Sequence, residues 1–373
     1  MNSRKLIFSA ALVAALSSGA TAQIPDLMTA LDAGGRAMGL GGATYVTDAN
    51  TFSANANPAG LGFLTRPMYG IAYRNLPESR TTISGNFDDP DFDTGMRQGA
   101  FGLTHVGYAF PMGGGVLGVS YTRSGYFRDE RSGDFLSQGT LTVRNYEEVF
   151  RSQTDLFTIS FGATSQGTTN YGIGLVVANQ YTLNRQNYDL FDGGNPVGSV
   201  SADNTGTSMG VGVVAGMMVA TSSSSSFGVS AQSPIDLNGG SETSAYYDRI
   251  PGRLSAGFAM RNDHMNGQYL LLAVQATSFF GGQSDKIFPR ENQTVVNAGA
   301  EYMLKRWNAS IPVRFGYAFV PKGGEGFISR DSVTFGAGYR PNNSNFQLDL
   351  SFARPIDGSA MDMALAITYL LGN

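Results

Sequence analysis

The chain has 373 residues, of which only 14 % are charged, and a net charge of −4; an ordinary soluble domain carries about 25 % charged residues. An acidic, charge-poor chain excludes a nucleic-acid binder, whose footprint is clustered Lys and Arg. The absence of cysteine excludes a disulfide framework, so packing and hydrogen bonds must hold the fold.

Arg4 and Lys5 precede an apolar run from Leu6 to Leu16, and small residues end at Ala20-Thr21-Ala22. A charged start, an apolar middle and an A-x-A site predict a cleaved signal peptide over 1–22. Its removal takes away two positive charges and leaves a net charge of about −6. After residue 22 no apolar run approaches the ~20 residues that a spanning helix needs.

The stretch 32–64, DAGGRAMGLGGATYVTDANTFSANANPAGLGFL, is too rich in Gly, Ala and Asn to build a core of its own. It is expected to pack inside a structure made by the rest of the chain, as a plug over 23–65. Gly39, Gly41 and Gly42 suit close backbone approach or positive φ. In Asn57-Pro58-Ala59 the proline fixes φ and biases Asn57 to an extended conformation, leaving the Asn side chain free to bond nearby backbone and pin the plug.

Residues 66–373 read as short alternating segments. Strands are expected near 67–76, 99–110, 115–124, 153–164, 170–183, 207–220, 224–233, 252–262, 267–279, 292–304, 309–320, 331–341, 343–354 and 360–371. In Asp155–Ala163, Phe157, Ile159 and Phe161 alternate with Thr158, Ser160 and Gly162. Ile311–Phe319, Val333–Tyr339 and Phe346–Phe352 repeat the pattern. Apolar residues on one face, and small polar ones rather than Lys and Glu on the other, point to lipid outside and a lumen inside. Connections after the even strands are short (Pro111–Gly114, Ser165–Thr169, Thr221–Ser223, Asp263–Asn266, Lys305–Asn308, Asn342). Those after odd strands are mostly long, with loops expected over Gly125–Ser152 and Asn184–Gly206. Short turns on one face and long loops on the other predict an all-β, 14-stranded antiparallel transmembrane β-barrel.

On this pattern Arg253, Arg261, Glu301, Arg314, Arg340, Asp349 and Asp362 fall on the lumen side. They read either as a selectivity lining or as ion pairs that hold plug to wall. Glu301 and Arg314 are placed opposite each other or one diagonal step apart. Three other motifs carry less. Gly206-Thr207-Ser208-Met209-Gly210 fits G-x-S-x-G but opens a strand, with only His105 and His264 in the chain, so no catalytic residue is expected. Asp88, Asp89, Asp91 and Asp93 approach a calcium-loop spacing, but Gly95 falls one place late and Ala100 stands where Glu is needed; no metal site is expected. Trp307 with Lys305 and Arg306 suits a membrane interface.

The residues GGRAMGLGGA (34–43) with Asn57-Pro58-Ala59-Gly60-Leu61 resemble the N-terminal hatch of the FadL-type outer-membrane family, which includes importers of long-chain fatty acids and aromatic hydrocarbons. The same opening is similar to that of a PorV-like branch associated with protein secretion and surface attachment. The run NAGAEYMLKRWNASIPVRFGYAFVP, then DSVTFGAGYR, is similar to the closing strands of both. Two departures stand out: the chain ends Tyr369-Leu370-Leu371-Gly372-Asn373 rather than on an aromatic, and loop 125–152 is interrupted by charges. The resemblance implies a plugged fourteen-strand barrel in the outer membrane of a Gram-negative-type cell, contacting its lipid. Without enzyme activity or cofactor, it would pass small hydrophobic or amphipathic molecules past a displaced plug. The alternative it implies is a non-transporting partner of secretion-system proteins.

Overall fold

The computed structural model describes residues 24–25, 34–83, 94–138, 140–165, 168–239, 248–283, 290–324, 327–356 and 361–371. The expected signal peptide and the Asp88–Asp93 cluster lie outside the described residues.

Fourteen strands form the wall: β1 (Met68–Ile83), β2 (Thr94–Met112), β3 (Gly115–Gln138), β4 (Leu141–Ser165), β5 (Thr169–Asp192), β6 (Asn195–Ser222), β7 (Ser225–Gln232), β8 (Gly252–Asp263), β9 (Tyr269–Phe280), β10 (Gln293–Arg306), β11 (Ala309–Phe319), β12 (Ser332–Pro341), β13 (Phe346–Pro355) and β14 (Asp362–Leu370). Each pairs antiparallel with the next, and β14 pairs with β1, which closes the ring. Closure removes free edges along the part of the ring where every strand is paired on both sides, as a β-structure in lipid requires.

The period of two sorts the residues as expected. On β4, Phe157 and Ile159 are exposed on the outside, while Thr158 and Ser160 are buried inside. On β11, Val313, Phe315, Tyr317 and Phe319 point outward and Arg314 is buried. Outward apolar side chains face lipid, where a Lys or Arg at mid-depth would cost about 2–4 kcal/mol.

The expected loops 125–152 and 184–206 are not loops. Strands β3 to β6 run 24 to 28 residues and continue as paired ribbons. β3 and β4 stay paired to Gln138↔Leu141 and β5 and β6 to Asp192↔Asn195, each through one register shift. Past the membrane both faces meet water, so the alternation that marks a spanning strand lapses. The backbone groups still need partners, and the antiparallel neighbour supplies them. Within this ribbon Val143, Tyr146 and Tyr188 form a small cluster of their own. Gly193 and Gly194, at φ +56° and +86°, make the tight turn, the Gly-Gly hairpin signal.

The N-terminal stretch folds into α1 (Gly35–Gly39), α2 (Ser53–Ala56) and a 3₁₀ turn over Pro58–Phe63. None could stand alone at such length. All lie inside the ring, with Met38, Leu40, Ala43, Val46, Ala54, Asn57, Ala59 and Leu61 completely or almost completely buried. A second inward segment follows β7: Ile235–Asp236 pairs with Arg249–Ile250, and Asn238–Gly239 pairs back onto β6. It packs Ile235, Leu237 and Ile250 against the inward-facing Leu156, Val176, Ala178 and Val214.

Candidate functional site

The plug is fastened by wall side chains that bond its backbone. Ser160 Oγ donates to the Ala54 carbonyl (2.6 Å), Ser230 Oγ to that of Ala56 (2.7 Å) and Thr334 Oγ1 to that of Gly39 (3.2 Å). Asn297 Nδ2 donates to the Gly41 carbonyl, and Gln275 Oε1 accepts the Val46 N–H at 3.0 Å. These small polar residues are the inward half of the alternation. They satisfy backbone groups of a segment with little regular structure.

Asn57 bonds backbone of both the plug and the wall. Its Nδ2 donates to the Val46 carbonyl (2.8 Å) and to Met217 O on the wall (3.3 Å), while its Oδ1 accepts the Ala59 N–H (3.2 Å). Pro58 opens the 3₁₀ turn that Asn57 caps, a position where a missing N–H costs nothing. Gly41 and Gly42 have φ +63° and +85°. A Cβ on Gly41 would stand 2.7 Å from the Tyr317 carbonyl oxygen, so this glycine needs both its dihedral and its closeness. Gly39 packs against Ser351 and Arg314. The wall answers in kind: a Cβ on Gly172 would lie 2.2 Å from the Pro58 carbonyl carbon, and one on Gly316 2.4 Å from that of Leu40. Much of the glycine excess is thus spent where plug backbone meets wall backbone.

A charged chain crosses the lumen beside α1. Glu301 and Arg314 are directly opposite on β10 and β11. Arg314 bonds Glu301 at 2.6 Å and Asp349 at 2.6 Å, and all three are 1 to 3 % exposed. Arg36 of the plug makes a bidentate pair with Glu301 (3.2 Å each) and a further ion pair with Asp48. Tyr269 Oη donates to Glu301 (2.9 Å), Thr44 Oγ1 to Asp48 (3.0 Å) and Gln347 Nε2 to Asp349 (2.7 Å). Every carboxylate therefore has at least two donors, which is what makes burial of these charges tolerable. Elsewhere Arg253 reaches Tyr45 Oη (2.6 Å) and Asn55 Oδ1 (2.7 Å) of the plug. Asp362 binds Arg74 (2.8 Å) and Arg330 on the long-hairpin side. Arg261, paired with Asp263 and lying over the Tyr269 ring, and Arg340 are exposed at the short-turn mouth.

Among the described residues, wall pairing stops short in two places: between β6 and β7 at Val214↔Gln232, where β6 runs on beyond its neighbour, and at a seam between β2 and β3. Pairing between β2 and β3 runs only from Met112↔Gly115 to His105↔Thr122. Beyond that, among the described residues, β2 pairs only with β1 and β3 only with β4. A register shift at Ala72/Tyr73 on β1 and another at Arg123/Gly125 on β3 flank the point of separation. Such bulges bend a strand away from its neighbour. His105 sits at the foot of the seam. Its Nδ1 is 3.0 Å from Thr122 Oγ1, its Nε2 is 3.2 Å from Thr51 Oγ1 of the plug, and Phe52 stacks on the ring at 3.7 Å.

Sequence reasoning missed Arg36, Asp48, Tyr269 and His105. Arg36 and Asp48 are the only charges between Asp32 and Leu64, which was a usable signal. Ser208 of the G-x-S-x-G stretch is buried within β6 opposite Gln180. Neither the elbow geometry nor a histidine partner accompanies it: His105 is taken by two threonines, and His264 stands in a short turn beside Tyr302.

No protein-family model matches the sequence, and no curated protein matches it. Solved structures do match. A FadL homologue of Pseudomonas aeruginosa superposes at TM-score 0.65 with 13 % identity, over 90 % of this chain and 98 % of that one. The Ralstonia pickettii toluene transporter TbuX gives 0.63 with 14 % identity over 91 % and 98 %. The P. putida toluene transporter TodX gives 0.62 with 12 % identity over the same shares. The fold is that of the FadL-type channels. At such identities the FadL-type likeness rests on strand count, closure and course of the chain, and the plug contacts above stand on this chain's own geometry.

Proposed function

We propose that this protein is a passive outer-membrane channel for small hydrophobic or amphipathic molecules, working without enzyme chemistry or cofactor after export by the N-terminal signal peptide. The observation that carries this reading is the seam between β2 and β3, which opens where His105 ties wall to plug. A plug fastened by buried ion pairs and a dozen hydrogen bonds is a poor door, because each pair broken without compensation costs several kcal/mol. A gap in the wall above it gives an apolar solute a route from lumen to lipid with the plug in place. The inward apolar cluster of Leu156, Val176, Val214 and Ile235 supports an apolar solute in the lumen. The neighbours described as toluene transporters and a monoaromatic hydrocarbon channel support the same class of cargo.

On this reading Gly39, Gly41, Gly42, Asn57, Pro58 and Ala59 keep the plug seated. Glu301, Arg314 and Asp349 latch it rather than select cargo. The test is uptake of labelled toluene into proteoliposomes whose outer leaflet is lipopolysaccharide, the barrier such solutes do not cross unaided. Uptake at the rate of protein-free vesicles, together with co-purification of a secreted client protein, would favour the secretion-partner reading.

A further inference from the structure

The outer face of the wall changes character where β2 leaves β3. Val119 on β3 and Phe157 on β4 point outward and are exposed. Toward the long hairpins the same faces carry Tyr121 and Arg123 on β3 and Asp155 on β4, with Arg123 directly opposite Asp155. Asp155 breaks the rule for an outward position, because it is only 9 % exposed. Three donors hold its carboxylate. Tyr121 Oη (2.8 Å) and Arg123 Nε (3.0 Å) donate to Oδ1, and Gln153 Nε2 (2.6 Å) donates to Oδ2. Arg123 Nη2 donates in turn to Tyr121 Oη (2.8 Å). Two of the three guanidinium nitrogens are thereby fixed to β3 and β4, and the planar fork leaves the third no choice of direction.

That third nitrogen reaches the opposite rim of the seam. Nη1 makes no hydrogen bond among the described residues, and it would stand 3.2 Å from a Cβ on Gly102 of β2. Gly102 pairs with Arg74, whose side chain binds the lumen-side Asp362. Paired residues share a face, so a Cβ on Gly102 would project from the inner face of β2. Arg123 rises from the outer face of β3. A side chain that runs from the outer face of one strand to the inner face of the next lies in the gap between them. It lies just past the last β2–β3 pair, His105↔Thr122. A solute that leaves the lumen there meets this guanidinium, and passes only when the side chain gives up its bonds to Asp155 and Tyr121.

We propose that Arg123 is the bar of the seam: anchored by Asp155 and Tyr121, it narrows the passage opposite Gly102 and sets the width of solute that gets through. This rests on the transport reading for the route, and deepens it by naming the residue that limits it.

The full mature protein is tested in two ways. The chain has no cysteine, so Gly102→Cys places a single thiol in the gap. Its reaction rate with N-pyrenylmaleimide is divided by that with N-ethylmaleimide, which cancels any effect of the guanidinium on the thiol itself. The ratio is expected to rise about tenfold when Arg123→Ala is added. Tenfold is the rate factor for about 1.4 kcal/mol, the scale of one hydrogen bond to a charged group. In proteoliposomes faced with lipopolysaccharide, uptake of naphthalene relative to toluene is expected to rise by a similar factor in Arg123→Ala and Arg123→Gln. It should rise less in Asp155→Asn, which keeps the bar but loosens its anchor. It should stay at the wild-type value in Arg185→Ala, whose ion pair with Asp203 is exposed farther out on the ribbon. An unchanged uptake ratio in both Arg123 variants overturns the bar, even if uptake of both solutes falls together, as loss of a merely structural ion pair would cause. If wild type takes up no toluene, the channel reading falls, and the labelling ratio alone decides whether Arg123 fills the gap. If toluene uptake holds and neither ratio moves, only the bar falls.

Discussion

Arg314→Met removes the centre of the latch, and the structure sets the size of the effect. Glu301 keeps its bidentate partner Arg36 and the Tyr269 hydroxyl. Asp349, 3 % exposed, keeps only Gln347. Stranding one buried carboxylate in this way costs about 3–5 kcal/mol. If that cost falls on the seating of the plug, opening becomes roughly 10²- to 4 × 10³-fold more frequent, at about 1.4 kcal/mol per factor of ten. Amide exchange by mass spectrometry reads this out: Met38–Ala43 should exchange faster by that factor while the membrane part of β11 does not change. The double variant Arg314→Met/Asp349→Asn leaves no stranded charge and should recover about 1–2 kcal/mol, a roughly 5- to 30-fold slowing relative to the single variant. Equal exchange in wild type and Arg314→Met, or a double variant worse than the single, would refute the assignment of these ions as a latch.

Asn57→Ala removes two carbonyl bonds and a cap. It should loosen the plug by about 2–3 kcal/mol, seen as faster proteolysis within 34–64 with the barrel intact. Gly172→Val places a side chain where the Pro58 carbonyl lies 2.2 Å away. It should unseat the 3₁₀ turn and raise ion conductance in planar bilayers; conductance at the wild-type level would show that the plug is not packed there. Gly102→Phe aims a ring at Arg123, whose Nη1 is 3.2 Å from a Cβ at that position. Narrowing the seam should cut toluene uptake several-fold while leaving plug exchange unchanged. Phe315→Arg puts a charge on the lipid face of β11, where the present ring is 60 % exposed to lipid. It should destabilise the folded barrel by about 2–4 kcal/mol in urea titration from lipid vesicles.

The wall was legible because one rule, apolar out and small or polar in, holds along most of the spanning length, with Leu156, Val176 and Val214 as inward exceptions. A turn centred on Trp307 and Asn308, both at positive φ, then places Glu301 opposite Arg314 with no further information. The ribbons were not legible: at Asn184-Arg185-Gln186-Asn187 both faces meet water and nothing alternates. The plug's identity could be read from its small residues, but its path could not. No period relates Arg36 to Glu301, 265 positions away. The seam leaves even less trace, because a strand with one partner alternates like a strand with two. What marks it is a bulge at Thr104, where Ala72 pairs with His105 and Tyr73 with Leu103.

The most direct measurement is toluene uptake into lipopolysaccharide-faced proteoliposomes containing wild type, Gly102→Phe or Arg314→Met. A channel with its exit through the wall takes up toluene in wild type and in Arg314→Met, and slows with Gly102→Phe. Uptake that ignores Gly102→Phe and rises with Arg314→Met would place the route through the plug and contradict the account.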